Sequence, residues 1–304
     1  MNIKAQLEAR GKKQEARNKS GKKLRGAFVK IYKFLLLFSV IMLGFGFTAC
    51  SENGTVETES AQISAAVKEE AETTVQTRRN AMNKEKYDKL FSEQRIWNSE
   101  IITFSKLTVK GGKLAVLDPL FFFGVEDVRP YTESVPAGEY DVKACIADFD
   151  SSKRIAAVTV PFADKPPVSF AMALNGTEDP EEVANLKEGE YFGFPVDAGL
   201  AAIADMSALS AYSEFASKWE KENDDNIYDG YLSELFEQSY KADPDHQREG
   251  GDFIDLTVPD TDMHIPMFAT GWGDGVYPVY WGYSEDGSLC SVTVIFIDPD
   301  VEES

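Results

Sequence analysis

The order of the periodic segments is the feature that most constrains the fold of this chain. Runs of alternating or β-branched residues are typical of strands. They occupy 101–109, 113–117, 140–147, 154–160 and 170–174, and later 253–258, 264–269, 276–283 and 289–297. A helical stretch separates the two groups. Such block-wise segregation predicts an α+β domain with a mostly antiparallel sheet.

The separating stretch has the spacing of an amphipathic helix. Leu200, Ile203, Met206 and Leu209 recur at intervals of three. This pattern predicts one long helix over 198–222. Apolar residues then predict a second, shorter helix over 231–240, inserted before the C-terminal strands.

Two turn sequences predict hairpins between neighbouring strands. Gly111-Gly112 separates the first two strand-like runs, and the segment 284–287, which ends in Asp286-Gly287, separates the last two. Both are short, glycine-containing connections of the kind that hairpins use.

The N-terminus resembles a bacterial lipoprotein signal peptide. Residues 1–33 hold eleven Lys or Arg against two Glu, and an apolar run leads to Ala49-Cys50. Lys and Arg stay in the cytoplasm while the apolar run crosses the membrane, which makes Cys50 the lipidated first residue of the mature chain. The alternative is an uncleaved signal anchor, although the uncharged stretch 34–49 is short of the ~20 residues that span a bilayer. Both interpretations predict a membrane-anchored protein of the cell envelope that lies outside the cytoplasm.

The charge of the mature part narrows the class of partner. The whole chain has a formal net charge of −20, and residues 50–304 carry 20 basic and 49 acidic residues, or −29. Such a charge repels nucleic acid, so DNA or RNA binding is excluded as a main function. It favours cationic partners or metal ions, or it serves solubility alone.

Composition divides the chain into five parts. Residues 1–49 form the signal peptide, 50–62 the lipidated Cys and a polar, flexible tether, and 63–96 a helical stalk. Residues 97–298 form the globular domain, and 299–304 an acidic tail.

Two cysteines remain after Cys50. Cys145 and Cys290 both lie in strand-like runs. An oxidising compartment permits a disulfide between them, but their positions favour two buried thiols.

Two clusters of Gly, Asp and aromatic residues stand out. The first is YFGFPVDAG at 191–199, and the second is ATGWGDGVYPVYWG at 269–282. Together with LDP at 117–119 and VPAGEY at 135–140, they resemble the bacterial domain-of-unknown-function family 4241. The resemblance covers roughly residues 100–298, with 271–282 as its most specific part. It implies a domain extent and a signature, and it supplies no reaction and no catalytic residue.

Three aspartates in or near these clusters have structural and functional interpretations. Asp197 precedes the predicted helix and can cap its N-terminus. Asp274 lies between Gly273 and Gly275, as expected of an Asx turn. Alternatively Asp197, Asp205 and Asp274 converge in one cleft as an acid/base pair or a metal site, with calcium as the candidate cofactor.

The aromatic residues around Asp274 also allow two interpretations. In an alternating strand Tyr277 and Trp281 share one face, and Tyr280 lies on the other. Core packing is one role for such a cluster. The alternative is a binding surface made of Trp272, Asp274, Tyr277 and Tyr280, on which a sugar or a partner chain stacks.

Common enzyme motifs are absent from the sequence. There is no Gly-x-Ser-x-Gly, His-Glu-x-x-His, Gly-x-x-x-x-Gly-Lys or dinucleotide-binding glycine pattern, and there are only two histidines. The acidic stretch 222–230 lacks the ligand spacing of a calcium loop and is interpreted as a connection between helices.

The sequence therefore favours a binding protein over an enzyme. We expect a membrane-anchored lipoprotein whose acidic surface captures a cationic protein or an envelope glycan. The alternative is an envelope hydrolase that uses Asp197, Asp205 and Asp274, with or without calcium.

Overall fold

The computed structural model describes residues 82–92, 96–120, 125–149, 152–187 and 189–300. The predicted signal peptide, Cys50, the tether, most of the stalk and the last four residues lie outside this part. Within it, no helix is long and apolar enough to cross a membrane.

The described part contains four α-helices and eleven β-strands. The helices are α1 (Lys84–Phe91), α2 (Pro180–Ala184), α3 (Met206–Asn223) and α4 (Ser233–Ala242). A 3-10 turn covers Val125–Asp127, and a π turn covers Tyr228–Leu232. The first strands are β1 (Glu100–Val109), β2 (Leu114–Leu117), β3 (Gly138–Phe149), β4 (Ser152–Pro161), β5 (Ser169–Met172) and β6 (Gly193–Val196). The others are β7 (Leu200–Asp205), β8 (Phe253–Thr257), β9 (His264–Ala269), β10 (Gly275–Tyr283) and β11 (Leu289–Ile295).

These strands form two antiparallel sheets. The larger sheet has the order β1-β3-β4-β11-β10-β5, and β6 pairs with the first half of β10, beyond the end of β5. The smaller sheet has the order β2-β7-β9-β8. The predicted α+β class with antiparallel sheets is confirmed, as is the hairpin between β10 and β11.

The smaller sheet is the middle one of three layers. All six residues of β7 are buried. Ala201 and Ile203 belong to the core shared with the larger sheet, whereas Ala202 and Ala204 belong to the core beneath α3 and α4. Successive residues of a strand point to opposite faces, so both faces of β7 are covered.

The predicted hairpin at Gly111-Gly112 is wrong. Strand β1 pairs with β3, and β2 pairs with β7, so this segment carries the chain from one sheet to the other. Gly112 adopts φ of 77°, and a Cβ there would lie 2.9 Å from the carbonyl oxygen of Val135. Glycine is needed for this crossing rather than for a tight turn.

The predicted helix over 198–222 is also corrected. Its first part is strand β7, and α3 begins only at Met206 and has 18 residues. A strand buried on both faces is continuously apolar, and short apolar runs of this kind do not distinguish strand from helix. The shorter predicted helix corresponds to the π turn and α4.

Helix α1 packs on the larger sheet. Met82 and Leu90 are buried, and the ring of Tyr87 lies 5.2 Å from Phe91 and 5.4 Å from Phe170 of β5. Lys86 pairs with Asp298 at 2.9 Å, which joins this helix to the C-terminal segment.

Cys145 and Cys290 are buried thiols that form no disulfide, as predicted. Burial raises the pKa of Cys290. Cysteines buried in apolar surroundings are chemically inert, which gives these two a packing role.

Candidate functional site

Asp205 is a buried carboxylate that serves the fold. It caps α3 by accepting a hydrogen bond from the Ser207 backbone at 3.0 Å. The backbone N–H groups of Gly111 and Gly112 donate to the same carboxylate at 3.1 and 2.8 Å. With a fully buried side chain and this many donors, Asp205 holds the crossover against the start of the helix.

The structure separates Asp205 from the other two candidate aspartates. Asp205 ends β7, whereas Asp197 lies three residues before Leu200 at the opposite end. Five steps of ~3.3 Å along a strand place about 17 Å between the two ends. The hypothesis of one cleft formed by all three aspartates is corrected here, because β7 is extended rather than helical.

Asp197 and Asp274, in contrast, are brought to one place. Val196 of β6 pairs with Gly275 of β10, so the two aspartates are the residues just beyond this paired end. The carbonyl of Gly199 accepts from the N–H of Thr270 at 3.1 Å, which holds the two loops together. Both side chains are exposed, and neither pairs with a cation in the described part of the chain.

The predicted helix cap at Asp197 is corrected, since the capping residue is Asp205. The backbone of Asp197 instead belongs to a turn that Asp118 organises. The buried carboxylate of Asp118 accepts from the N–H groups of Asp197 at 2.9 Å and Ala198 at 2.7 Å. The sequence indicated Asp118-Pro119 as the end of a strand. It did not indicate that Asp118 binds the backbone of Ala198, which lies 80 residues further along the chain.

The loop that carries Asp274 is internally braced. Gly271 and Gly273 adopt φ of 53° and 105°. The hydroxyl groups of Thr270 and Tyr277 both donate to the carbonyl of Gly273, at 2.7 and 2.8 Å. Burial raises the pKa of Tyr277, and the charge of Asp274 raises it further. Tyr277 therefore stays protonated and acts as a donor that fixes the loop.

Two of the predicted binding residues lie in the core. Tyr277 and Tyr280 are 8% and 2% exposed, and burial raises the pKa of Tyr280 as well. From Tyr277 to Gly282 strand β10 is buried on both faces, so alternation does not turn either ring towards solvent. This corrects the expectation that these tyrosines form a surface for a sugar or a partner chain.

Trp272 has the opposite environment. It is 48% exposed, and the guanidinium carbon of Arg154 lies 4.4 Å from its ring centroid. Arg154 also donates to the carbonyl of Gly271 at 2.9 Å, and the ring of Phe149 lies 5.3 Å from Trp272. These contacts hold the indole on the surface in a defined position.

Two more exposed apolar side chains lie beside β6 and β10. Tyr191 is 42% exposed and Val276 is 51% exposed, and the Tyr191 hydroxyl donates to the carbonyl of Val276 at 3.2 Å. We name the surface formed by Tyr191, Asp197, Trp272, Asp274 and Val276 the β6–β10 corner.

This corner concentrates exposed apolar area next to negative charge. In the described part of the chain, four large apolar side chains are prominently exposed, and three of them belong to the corner. The fourth is Val168. Clustered apolar residues with a polar rim are typical of a protein-binding surface. The sequence indicated Trp272 and the aspartates as candidate site residues. Tyr191 and Val276 lie in the same two clusters, but their exposure was not predicted, because local alternation does not show which side chains distant elements leave uncovered.

The described residues contain no group of three or more His, Cys, Asp or Glu that could hold a metal ion. The calcium site stays a prediction. The acidic stretch after α3 connects that helix to the π turn, as interpreted from its spacing.

A family model described as "Protein of unknown function (DUF4241)" matches residues 107–294. The resemblance inferred from the two Gly and Asp clusters is thereby confirmed. No curated protein and no solved structure matches the chain.

Proposed function

The chain belongs to the DUF4241 family, whose description assigns no activity, and we propose that it is a binding module that captures a cationic protein at the β6–β10 corner. One observation carries this proposal. Rigidly held, exposed apolar side chains lie beside two carboxylates, Asp197 and Asp274, that have no cationic partner in the described part of the chain.

Charge complementarity selects the class of partner. Like charges opposite each other at a strand end are destabilising, and an incoming Lys or Arg relieves this repulsion. The formal charge of −29 for residues 50–304 also attracts a cationic protein over a distance and raises its association rate.

The apolar residues supply the contacts that slow dissociation. Trp is among the residues that most often dominate binding energies at interfaces. Trp272 is already oriented by Arg154 and Phe149, so binding loses little side-chain entropy.

The proposed module is tethered outside the cytoplasm by lipid on Cys50. The basic, apolar and small-residue pattern of residues 1–50 supports this location. Several acyl chains contribute about 0.8 kcal/mol per buried methylene, enough for stable membrane attachment.

The envelope hydrolase has less support than this binding module. The carboxylate of Asp205 is buried, and backbone donors already occupy it. The proposal therefore assigns Asp197 and Asp274 to partner binding.

The test uses the full-length protein in membranes and a defined probe, a synthetic amphipathic peptide rich in Lys and Trp. The control peptide carries Glu in place of Lys. We expect the Lys peptide to bind with an on-rate that falls as salt increases. We expect Trp272→Ala to raise the off-rate about tenfold, as for a central aromatic residue at an interface.

The matched variants are Asp197→Asn/Asp274→Asn at the corner and Asp164→Asn/Glu285→Gln, two exposed residues near the opposite end of β10. Both pairs remove two negative charges. A loss of affinity confined to the first pair supports the proposal. The proposal would be overturned if both pairs of substitutions lowered the affinity for the Lys peptide equally. It would also be overturned by an on-rate independent of salt, or by tighter binding of an envelope oligosaccharide than of the peptide.

A further inference from the structure

A cavity of about 240 Å³ opens between the two sheets. Its walls come from the end of β2, the segment 128–131, the segment after β5, strand β6 and Val279 of β10. Strand β6 lies between Tyr191 and Asp197 of the β6–β10 corner, but none of the five residues that define the corner lines the cavity.

The cavity is lined by opposite charges that do not pair with each other. Arg129 and Glu178 both line it, yet no nitrogen–oxygen distance of 4.0 Å or less joins them. Arg129 is exposed and makes no ion pair within the described residues. An unpaired arginine is notable where acidic residues outnumber basic ones 49 to 20. Its planar fork of donors suits a carboxylate.

Glu178 is held in place by the turn that precedes α2. Its two carboxylate oxygens accept from the backbone N–H groups of Asn175 at 3.0 Å and Gly176 at 2.9 Å. A carboxylate has about four acceptor sites, so each oxygen keeps one for a further donor. The third charged residue of the lining, Asp118, already accepts three backbone N–H groups.

Apart from Asn175 and the hydroxyl group of one tyrosine, the side chains of the remaining wall are apolar. Val116, Leu117, Phe194 and Val279 line the cavity. Tyr131 lines it as well, and its pKa is raised by burial and by the charge of Glu178, which places the two side chains in one environment. A cavity of about 150 Å³ accommodates benzene, so this one admits a six- to eight-carbon body with polar substituents.

We infer that this cavity binds a small zwitterion with an apolar side chain, in the chemical class of free apolar α-amino acids. Arg129 binds the carboxylate through its guanidinium fork. Glu178 accepts from the ammonium group, and the apolar wall contacts the side chain. The two charges face one cavity without pairing, and a ligand that carries both opposite charges satisfies both at once.

Calorimetry with the full chain and L-phenylalanine or L-leucine as probes tests this inference. The matched compounds are 3-phenylpropionate, which lacks the amine, and phenethylamine, which lacks the carboxylate. We expect each to bind at least about tenfold more weakly than L-phenylalanine, because one charged residue is left unpaired. Equal or tighter binding of either compound, or no binding of the two amino acids, overturns the inference.

Variants separate the cavity from general charge effects. Arg129→Ala is expected to lower affinity at least about tenfold, and Arg129→Lys less, because Lys lacks the bidentate fork. Lys218→Ala removes the same charge from an exposed position of α3 and should leave affinity unchanged. Equal losses in Arg129→Ala and Lys218→Ala would contradict a role for Arg129. This outcome is independent of peptide binding at the β6–β10 corner.

Discussion

The carboxylate of Asp205 accepts a hydrogen bond of 2.8 Å from the backbone of Gly112, which lies 93 residues earlier in the chain. This contact joins the crossover between the two sheets to the first turn of α3. One buried carboxylate thus binds both the backbone of the crossover and the first turn of the helix.

Asp205→Ala should therefore strongly destabilise the protein. The substitution removes a helix cap and leaves buried N–H groups without an acceptor, and these effects together cost about 3 kcal/mol or more. Urea unfolding measures the loss. Asp197→Ala is the control, since an exposed aspartate should change stability by less than about 0.5 kcal/mol. Similar urea midpoints for Asp205→Ala and Asp197→Ala would show that Asp205 does not hold the crossover to the helix.

Gly193→Ala tests the close approach of β6 to β10. A Cβ at this position would meet the carbonyl oxygen of Tyr277, and backbone atoms must move to accommodate it. We expect a loss of about 1–3 kcal/mol, as for other overpacked sites. Gly275→Ala on the same strand pair is the control, because its nearest contact is a side-chain atom at 3.3 Å. In thermal unfolding, the melting temperature of Gly193→Ala should be clearly lower than that of Gly275→Ala.

His246 predicts a dependence of stability on pH. Burial lowers the pKa of His246, but hydrogen bonds to Asp243 and Glu100, at 2.7 and 3.4 Å, outweigh burial and leave the pKa above its usual value of 6.5. The stabilisation is fully present below pH 6.5 and is lost as the pH rises through the folded-state pKa.

The measurement compares the free energy of unfolding of the wild type and His246→Gln at several pH values. The difference should be largest between about pH 5 and 6, where the carboxylates are ionised and the histidine is protonated. It should shrink towards pH 9. A difference that does not vary with pH, or that grows in alkali, would contradict the role of these two carboxylates.

Cys50→Ala tests the predicted lipid anchor. If Cys50 is acylated, metabolic labelling with radioactive palmitate should mark the wild type and not the variant. The variant should retain its signal sequence and migrate more slowly in electrophoresis, because processing requires the cysteine. An unlabelled wild type would favour the signal anchor, and a labelled Cys50→Ala protein would show that Cys50 is not the acylated residue.

Local pattern was sufficient for the fold class and for most strand positions. The alternation in 276–283 and 289–297 and the turn between them predicted the β10–β11 hairpin, because adjacent strands with a short loop have few alternatives. The burial of Cys145 and Cys290 was also predicted locally, because each lies in an apolar, strand-like run. The Gly and Asp clusters were sufficient to identify the family.

The candidate site was only partly predictable. Trp272, Asp197 and Asp274 were indicated by the sequence. The exposure of Val276 and the burial of Tyr280 on the same strand were not, since alternation gives both residues the same face. Which positions of a sheet face are covered depends on elements such as α1, which packs on the larger sheet through Tyr87 and comes from a distant part of the chain.

By itself, the sequence determined the fold class and most strand positions, which residues are apolar enough for the core, and how acidic the chain is. These properties depend on the chemistry of neighbouring residues. Only the tertiary structure decided that β2 joins β7 rather than β1, that Asp205 rather than Asp197 caps the helix, and that Arg129 and Glu178 line one cavity. The physical reason is that hydrogen bonds and burial are satisfied by partners far along the chain, whose positions local periodicity does not specify.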